Sequence, residues 1–126
     1  MQVNQCMLIE PFVCNEEDNI VEVAKNLRST TLRHIFVTDA KGFPKGVISV
    51  MDINNRVVAE GKDLGAIKAK DIMTRSIDVF NIDDDLSKVC ESMLKKNHVM
   101  DAVVKDSRMI GIITVHEALK VARNHE

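Results

Sequence analysis

Gly46-Val47-Ile48-Ser49-Val50-Met51-Asp52 returns sixty-five residues later as Gly111-Ile112-Ile113-Thr114-Val115-His116-Glu117. Each copy runs apolar residues out of a glycine, reaches a hydroxyl residue and places an acid three positions on. A helix-like stretch follows, expected over Ile53 to Glu60 in the first copy and Ala118 to Arg123 in the second. Each copy therefore reads as a strand handing over to a helix, with hydroxyl and carboxylate at the junction. A helix N-terminus offers unpaired backbone N–H groups and a positive dipole end, where anions and hydroxyl-rich ligands settle.

The repetition extends outward from this stretch. Setting residue n against n+66 pairs Met7 with Met73, Val13 with Val79, Asn15 with Asn81 and Asp18 with Asp84. The same offset pairs Ile20 with Leu86, Val23 with Val89, Leu27 with Met93 and Val37 with Val103. One residue is lost in the following turn, so the glycine motifs meet at an offset of 65. Two copies predict a pseudo-symmetric pair and not a solenoid.

Each copy carries the same order of elements. Phe12 to Cys14 and Asp78 to Phe80 read as short strands. Asn19 to Ser29 and Asp85 to Lys96 space their apolar residues as helices with one buried face, and acids crowd both starts. His34 to Thr38 and Met100 to Val104 are strands by their Val and Ile content. Gly42 and Pro44 mark a turn after the first, whereas Lys105 to Arg108 is short enough for a tight hairpin. The expected class is α/β (α+β), built from two β-α-β-β-α repeats packed with pseudo-twofold symmetry. Residues 1–60 form repeat 1, 61–70 a connector and 71–126 repeat 2. A half of about 60 residues buries too little surface to be stable alone, so the two are expected to share their apolar sides.

Composition narrows the function. Only four of 126 residues are aromatic, all Phe, so Val, Ile, Leu, Met and Ala must fill the core. A net charge of −2 with mixed signs leaves no footprint for nucleic acid or an anionic membrane. No apolar run approaches the length of a membrane span, and no signal peptide is visible. Cys6, Cys14 and Cys90 read as reduced thiols of a cytoplasmic protein. Neither CxxC nor HxxxH spacing occurs, so no metal site is expected, and no P-loop or Ser/His/Asp set can be assembled.

Lys70-Asp71-Ile72-Met73-Thr74, an acidic helix start, a hairpin and the Gly-φ-Ile-[Ser/Thr]-x-x-[Asp/Glu] motif together resemble the cystathionine-β-synthase (CBS) domain, here as a tandem pair over residues 6 to 123. The resemblance implies a regulatory, non-catalytic module. Such modules form homodimers and bind AMP, ADP, ATP or S-adenosylmethionine in inter-repeat clefts. No cofactor is obligatory; the adenosine compound is a regulatory ligand.

By the same resemblance, Ser49 and Asp52 beside Val47, and Thr114 and Glu117 beside Ile112, form the polar floors, with the acids holding ribose hydroxyls. Thr74, Asp78, His98 and Val99 would face adenine at the Asp52 site. Leu8, Phe12, Leu32 and Arg33 would do so at the Glu117 site. His116 lies where some members contact phosphate. The chain departs from the family at Phe36 and Ala102, where proline is frequent, at Cys6-Met7-Leu8-Ile9, and in Glu117 for the usual Asp.

The same residues have plainer readings. Ser49-x-x-Asp52 and Thr114-x-x-Glu117 both fit a capping box, the second more closely. Arg33 offers bidentate geometry to a phosphate or is ordinary solvated charge. His116 is a phosphate ligand or a solvated first-turn side chain. As a whole, the chain is a ligand sensor signalling to an unknown effector protein, an interaction module with degenerate clefts, or an enzyme acting on a nucleotide.

Overall fold

In the computed structural model, which describes residues 1–124, the two halves lay out their strands alike. β1 (Val13–Asn15), β2 (His34–Thr38) and β3 (Pro44–Ser49) form one three-stranded sheet with β2 central. β4 (Val79–Asn81), β5 (Met100–Lys105) and β6 (Arg108–Thr114) form the other, with β5 central. In each sheet the first pair is parallel and the second antiparallel. Parallel neighbours need a crossover, and α1 (Ile20–Arg28) and α4 (Leu86–Lys96) supply it. Val13 stands opposite Phe36, and Val79 opposite Ala102, so the ladders repeat the sequence offset. The class is mixed α+β.

Element boundaries differ slightly from the sequence reading. β1 and β4 each run one residue further, because Asn15 and Asn81 still pair with Thr38 and Val104 before the chain turns. The helices after the glycine motifs start earlier than Ile53 and Ala118. α2 (Val50–Ile53) and α5 (Val115–Asn124) begin directly after Ser49 and Thr114. The hydroxyl takes the N-cap place and the acid falls in the first turn. Beyond Ile53 the helix widens into a π-turn over Asn54–Val58, closed by Ala59 N–H donating to the Asn54 carbonyl at 2.8 Å.

The chain packs as two compact units that interleave with the repeats. The first unit is Phe12–Ile77, and the second is Met1–Pro11 with Asp78–Glu126. In the first, the lead-in of repeat 2 folds back: the Ala69 and Lys70 amides donate to Asp18 and Glu16, and Val47 bridges Thr74. α3 (Ala69–Ile72) seats Ala69 and Ile72 in a core with Ile20, Val23, Ile35 and Ile48. In the second unit, the lead-in of repeat 1 does the same. Val3 and Asn4 donate to Asp84 and Ile82, and Ile9 bridges Ile112. Val3 joins Leu86, Val89, Met93, Val103 and Ile113 in that core. Burying each such side chain is worth about 1.5–3 kcal/mol, so each lead-in is held by packing as well as by backbone bonds.

Candidate functional site

In the first unit, Ser49 ends β3 and caps α2. Its hydroxyl accepts from Asp52 N–H at 3.1 Å, and Asp52 Oδ2 accepts from Ser49 N–H at 2.8 Å. The Ser49 hydroxyl lies 3.1 Å from the same oxygen. This is a complete capping box. It engages one carboxylate oxygen and leaves Oδ1 with Arg56 Nε at 3.7 Å, beyond hydrogen-bond reach. Arg56 is in turn held by Nη1 donating to the Ile72 carbonyl at 2.9 Å. Thr74 and Val47 exchange backbone hydrogen bonds at 2.9 and 3.0 Å beside this box, bringing a residue of each repeat to one floor. Arg33, exposed and with φ of +57°, places its carbonyl 3.3 Å from the Val50 amide at the helix start.

The second unit repeats the scheme with different bonding. Thr114 Oγ1 accepts from Glu117 N–H at 3.2 Å. The Glu117 carboxylate, however, accepts from Met7 N–H at 2.7 Å. The extra methylene carries it to the lead-in strand. The fuller capping box is thus at Ser49–Asp52, and Thr114–Glu117 uses its carboxylate elsewhere. The bridges differ as well: Thr74 pairs with Val47, but it is Ile9, one place beyond Thr74's sequence counterpart Leu8, that pairs with Ile112. The irregular Cys6-Met7-Leu8-Ile9 stretch is thereby slipped by one residue. Val99 takes Arg33's part, its carbonyl accepting from Val115 N–H at 2.9 Å. His116 is exposed on α5, where it lines a groove of about 210 Å³ with Lys120 and Arg123.

Taken unit by unit, Thr74, Phe12, Leu32 and Arg33 fall with Asp52, whereas Leu8, Asp78, His98 and Val99 fall with Glu117. The resemblance distributes several of these the other way.

Around Asp78 the second unit holds a polar cluster. Asp101, with 1% of its surface exposed, lies on central strand β5. Its Oδ1 accepts from Asp78 N–H at 3.1 Å, and both its oxygens lie 3.1 Å from His98 Nδ1. Burial pushes the Asp101 carboxyl up, against the opposing pull of the Asp78 amide and His98. Lys96 Nζ donates to both Asp78 oxygens at 2.8 and 2.9 Å, with Ser92 Oγ at 3.4 Å. The donor atoms of Asp78, His98 and Asp101 lie within 4.8 Å of one another, yet they are spent on each other and on Lys96. The thiols take no part. Burial raises Cys14 to about 12 and Cys6 to about 11, far from the nucleophilic range.

Comparison with known proteins settles the family. The CBS domain matches twice, over residues 3–59 and 69–124. The chain belongs to the CBS-domain family. It is 27% identical over 105 residues to an uncharacterized protein of Methanopyrus kandleri, covering 82% of this chain and 54% of that one. It is 29% identical over 121 residues to the magnesium transporter MgtE of Thermus thermophilus, covering 91% of this chain. The chain spans about half the length of the first relative and a quarter of the second. Among solved structures it is similar to the CBS domain pair of protein MJ0100 in complex with 5′-methylthioadenosine and S-adenosyl-L-methionine. The TM-score is 0.74 at 25% identity, covering 100% of this chain and 98% of that one. It is also similar to the cytosolic domain of the Mg2+ channel MgtE in complex with ATP. There the TM-score is 0.76 at 27% identity, with 95% of this chain and 48% of that one covered. No helix of the described residues is long and apolar enough to cross a membrane.

Two residues of these side-chain clusters escaped the sequence reading. Arg56 stands four positions after Asp52, a spacing at which a helix brings opposite charges together, so it was there to be found. Asp101 left a subtler mark, as the one acid within the otherwise apolar run of β5 from Met100 to Val104.

Proposed function

We propose that this CBS pair is a non-catalytic regulatory module of the cytoplasm that binds an adenosine-containing ligand and signals through a partner protein. AMP, ADP, ATP and S-adenosylmethionine are the candidate ligands. The carrying observation is the Asp52 carboxylate, with one oxygen committed to the helix cap and the other free of any hydrogen bond beside Thr74. A ribose diol offers two donors to such an oxygen, and Arg33 at the same helix start provides a cation for phosphate. In the second unit Glu117 would hold the ribose once Met7 N–H gives way, with His116 near the phosphate. The adenosine compounds bound by two similar structures point to the same ligand class. A ligand shifts the module's arrangement only by preferring one state, and that difference is what an effector would sense. The homodimer belongs to the proposal: Val50 and Val58 remain 47% and 63% exposed beside an apolar groove of about 410 Å³ between α1 and α2.

Calorimetric titration of AMP, ATP and S-adenosylmethionine tests this, with Asp52→Asn as the variant. Asn keeps an acceptor for Ser49 N–H and removes the charge, so the fold should hold while affinity falls at least tenfold, about 1.4 kcal/mol. Wild-type protein that ignores all three ligands would favour the interaction-module reading. A Glu117 carboxylate already taken by Met7 N–H supports that alternative for the second unit.

A further inference from the structure

A buried carboxylate is costly unless charge and hydrogen bonds compensate it, and the second sheet does not call for one. Asp101 stands opposite Ile113 on β5, as Ile35 stands opposite Ile48 on β2. The first unit fills that place with an apolar residue and keeps the same sheet. Asp101 is 1% exposed, and among the described residues only two donors reach its carboxylate. The Asp78 amide donates to Oδ1 at 3.1 Å, and the single His98 Nδ1 lies 3.1 Å from both oxygens. A carboxylate has about four acceptor sites. Oδ2 is therefore left with a share of one donor, where solvent hardly reaches.

That shortfall lies where three metal-ligating side chains converge. His98 Nδ1 is 3.1 Å from each Asp101 oxygen and 3.7 Å from Asp78 Oδ2. One donor atom from each residue lies within 4.8 Å of the others. Neighbouring donors on one ion, with bonds of about 2.1 Å, stand about 3.0 Å apart in an octahedron and about 3.4 Å apart in a tetrahedron. The three side chains come from separate places: Asp78 directly ahead of β4, His98 between α4 and β5, and Asp101 within β5. This is why no HxxxH or CxxC spacing announces them. Lys96 Nζ now neutralises Asp78 at 2.8 and 2.9 Å, but its side chain is half exposed and can yield to a divalent charge.

We propose that Asp78, His98 and Asp101 form a binding site for a divalent transition-metal ion, with Zn2+ as its simplest occupant. Two carboxylates and a neutral imidazole balance the charge of such an ion, and three protein donors leave a further position for water. The imidazole sets the site apart from those of Mg2+ and Ca2+, which take oxygen donors. On binding, the ion takes the Nδ1 lone pair, the proton that Nδ1 presented to Asp101 moves to Nε2, and Lys96 turns to solvent still charged. The Asp78 amide stays on Asp101 Oδ1 and orients it. An ion held there ties the start of β4 to β5, so metal supply sets the stability of the second unit. The adenosine reading is not needed for this.

The test is titration of Zn2+ alone into the nucleotide-free chain at about pH 7.5, above the ordinary imidazole range, against a competing chromophoric chelator. One equivalent should bind per chain, at least tenfold more tightly than Mg2+. Asp101→Asn keeps the shape and removes a charge, and His98→Gln removes the nitrogen; each should weaken Zn2+ at least tenfold. Lys96→Met frees the Asp78 oxygens and should strengthen it about threefold, the scale of an exposed ion pair. Zn2+ should raise the thermal midpoint of the wild type and not that of Asp101→Asn. Nitrogen-15 spectra of the wild-type imidazoles locate the ion without any variant, with His98 metallated at Nδ1 and protonated at Nε2. Absence of a one-to-one site overturns the proposal, as does Zn2+ that shifts another histidine instead or binds both weakened variants as tightly as wild type. Mg2+ bound as tightly as Zn2+ refutes the choice of ion.

Discussion

Gly46 and Gly111 lie where a neighbouring segment comes too close for any side chain. A Cβ at Gly46 would sit 2.7 Å from the Thr74 carbonyl oxygen and 2.8 Å from Met73 Sδ. At Gly111 it would meet Leu8 Cβ at 2.8 Å. The Thr74 oxygen is backbone held in a bridge, so Gly46→Ala is expected to cost about 1–3 kcal/mol, as for an overpacked core. A urea midpoint unchanged from wild type would refute it. These glycines were legible as the start of the repeated motif, though not the reason for them, since nothing in the local sequence says that Thr74 returns to Val47. The same limit applies to Glu117. Its spacing from Thr114 looks like a cap, and only the fold reveals that its carboxylate reaches Met7 across 110 residues of chain. Ser49 and Asp52 were readable because capping needs only a local partner.

Among the elements, the hairpin between β5 and β6 is the plainest case of local control. Asp106 and Ser107 both take left-handed conformations, with φ of +51° and +64°, the geometry of a two-residue turn that follows strand twist. Asp tolerates that region, but Ser pays a steric cost there. Ser107→Gly should therefore stabilise by about 0.5–1 kcal/mol, read as a rise in thermal midpoint, with Asp106→Gly gaining less. Strand and helix identities were legible from periodicity, because Ile20, Val23 and Leu27 on α1 are buried as their spacing predicts. Helix starts were misplaced by up to three residues. The cue used was the acid, whereas the hydroxyl is the N-cap. The π-turn after α2 left no readable signal at all.

For the whole molecule, the repeat of sequence and the unit of packing are different things. The lead-in of each repeat is structural material for the opposite unit. Removal of Met1–Pro11 deletes Val3 from the second core, the Ile9 bridge to Ile112 and the partner of Glu117. Hydrogen exchange of the truncated chain should show protection lost across α4 and β6, with β2 and β3 retained. Equal loss in both units would contradict the division. Internal duplication was readable along nearly the whole chain, since it needs only self-comparison. The exchange of lead-ins was not, because it concerns which surface an eleven-residue stretch prefers.

That exchange also sets an order in time. A chain emerging from the ribosome carries everything the first unit needs once Ile77 has been made. Met1–Pro11 is synthesised before all of this, yet its partners Ile112 and Glu117 come only after the whole first unit. Until those partners are made, that leading stretch stays undocked while the first unit grows behind it. The second unit closes only after Glu117 has been made, so a stop between Ile77 and Glu117 spares the first unit and leaves the second open.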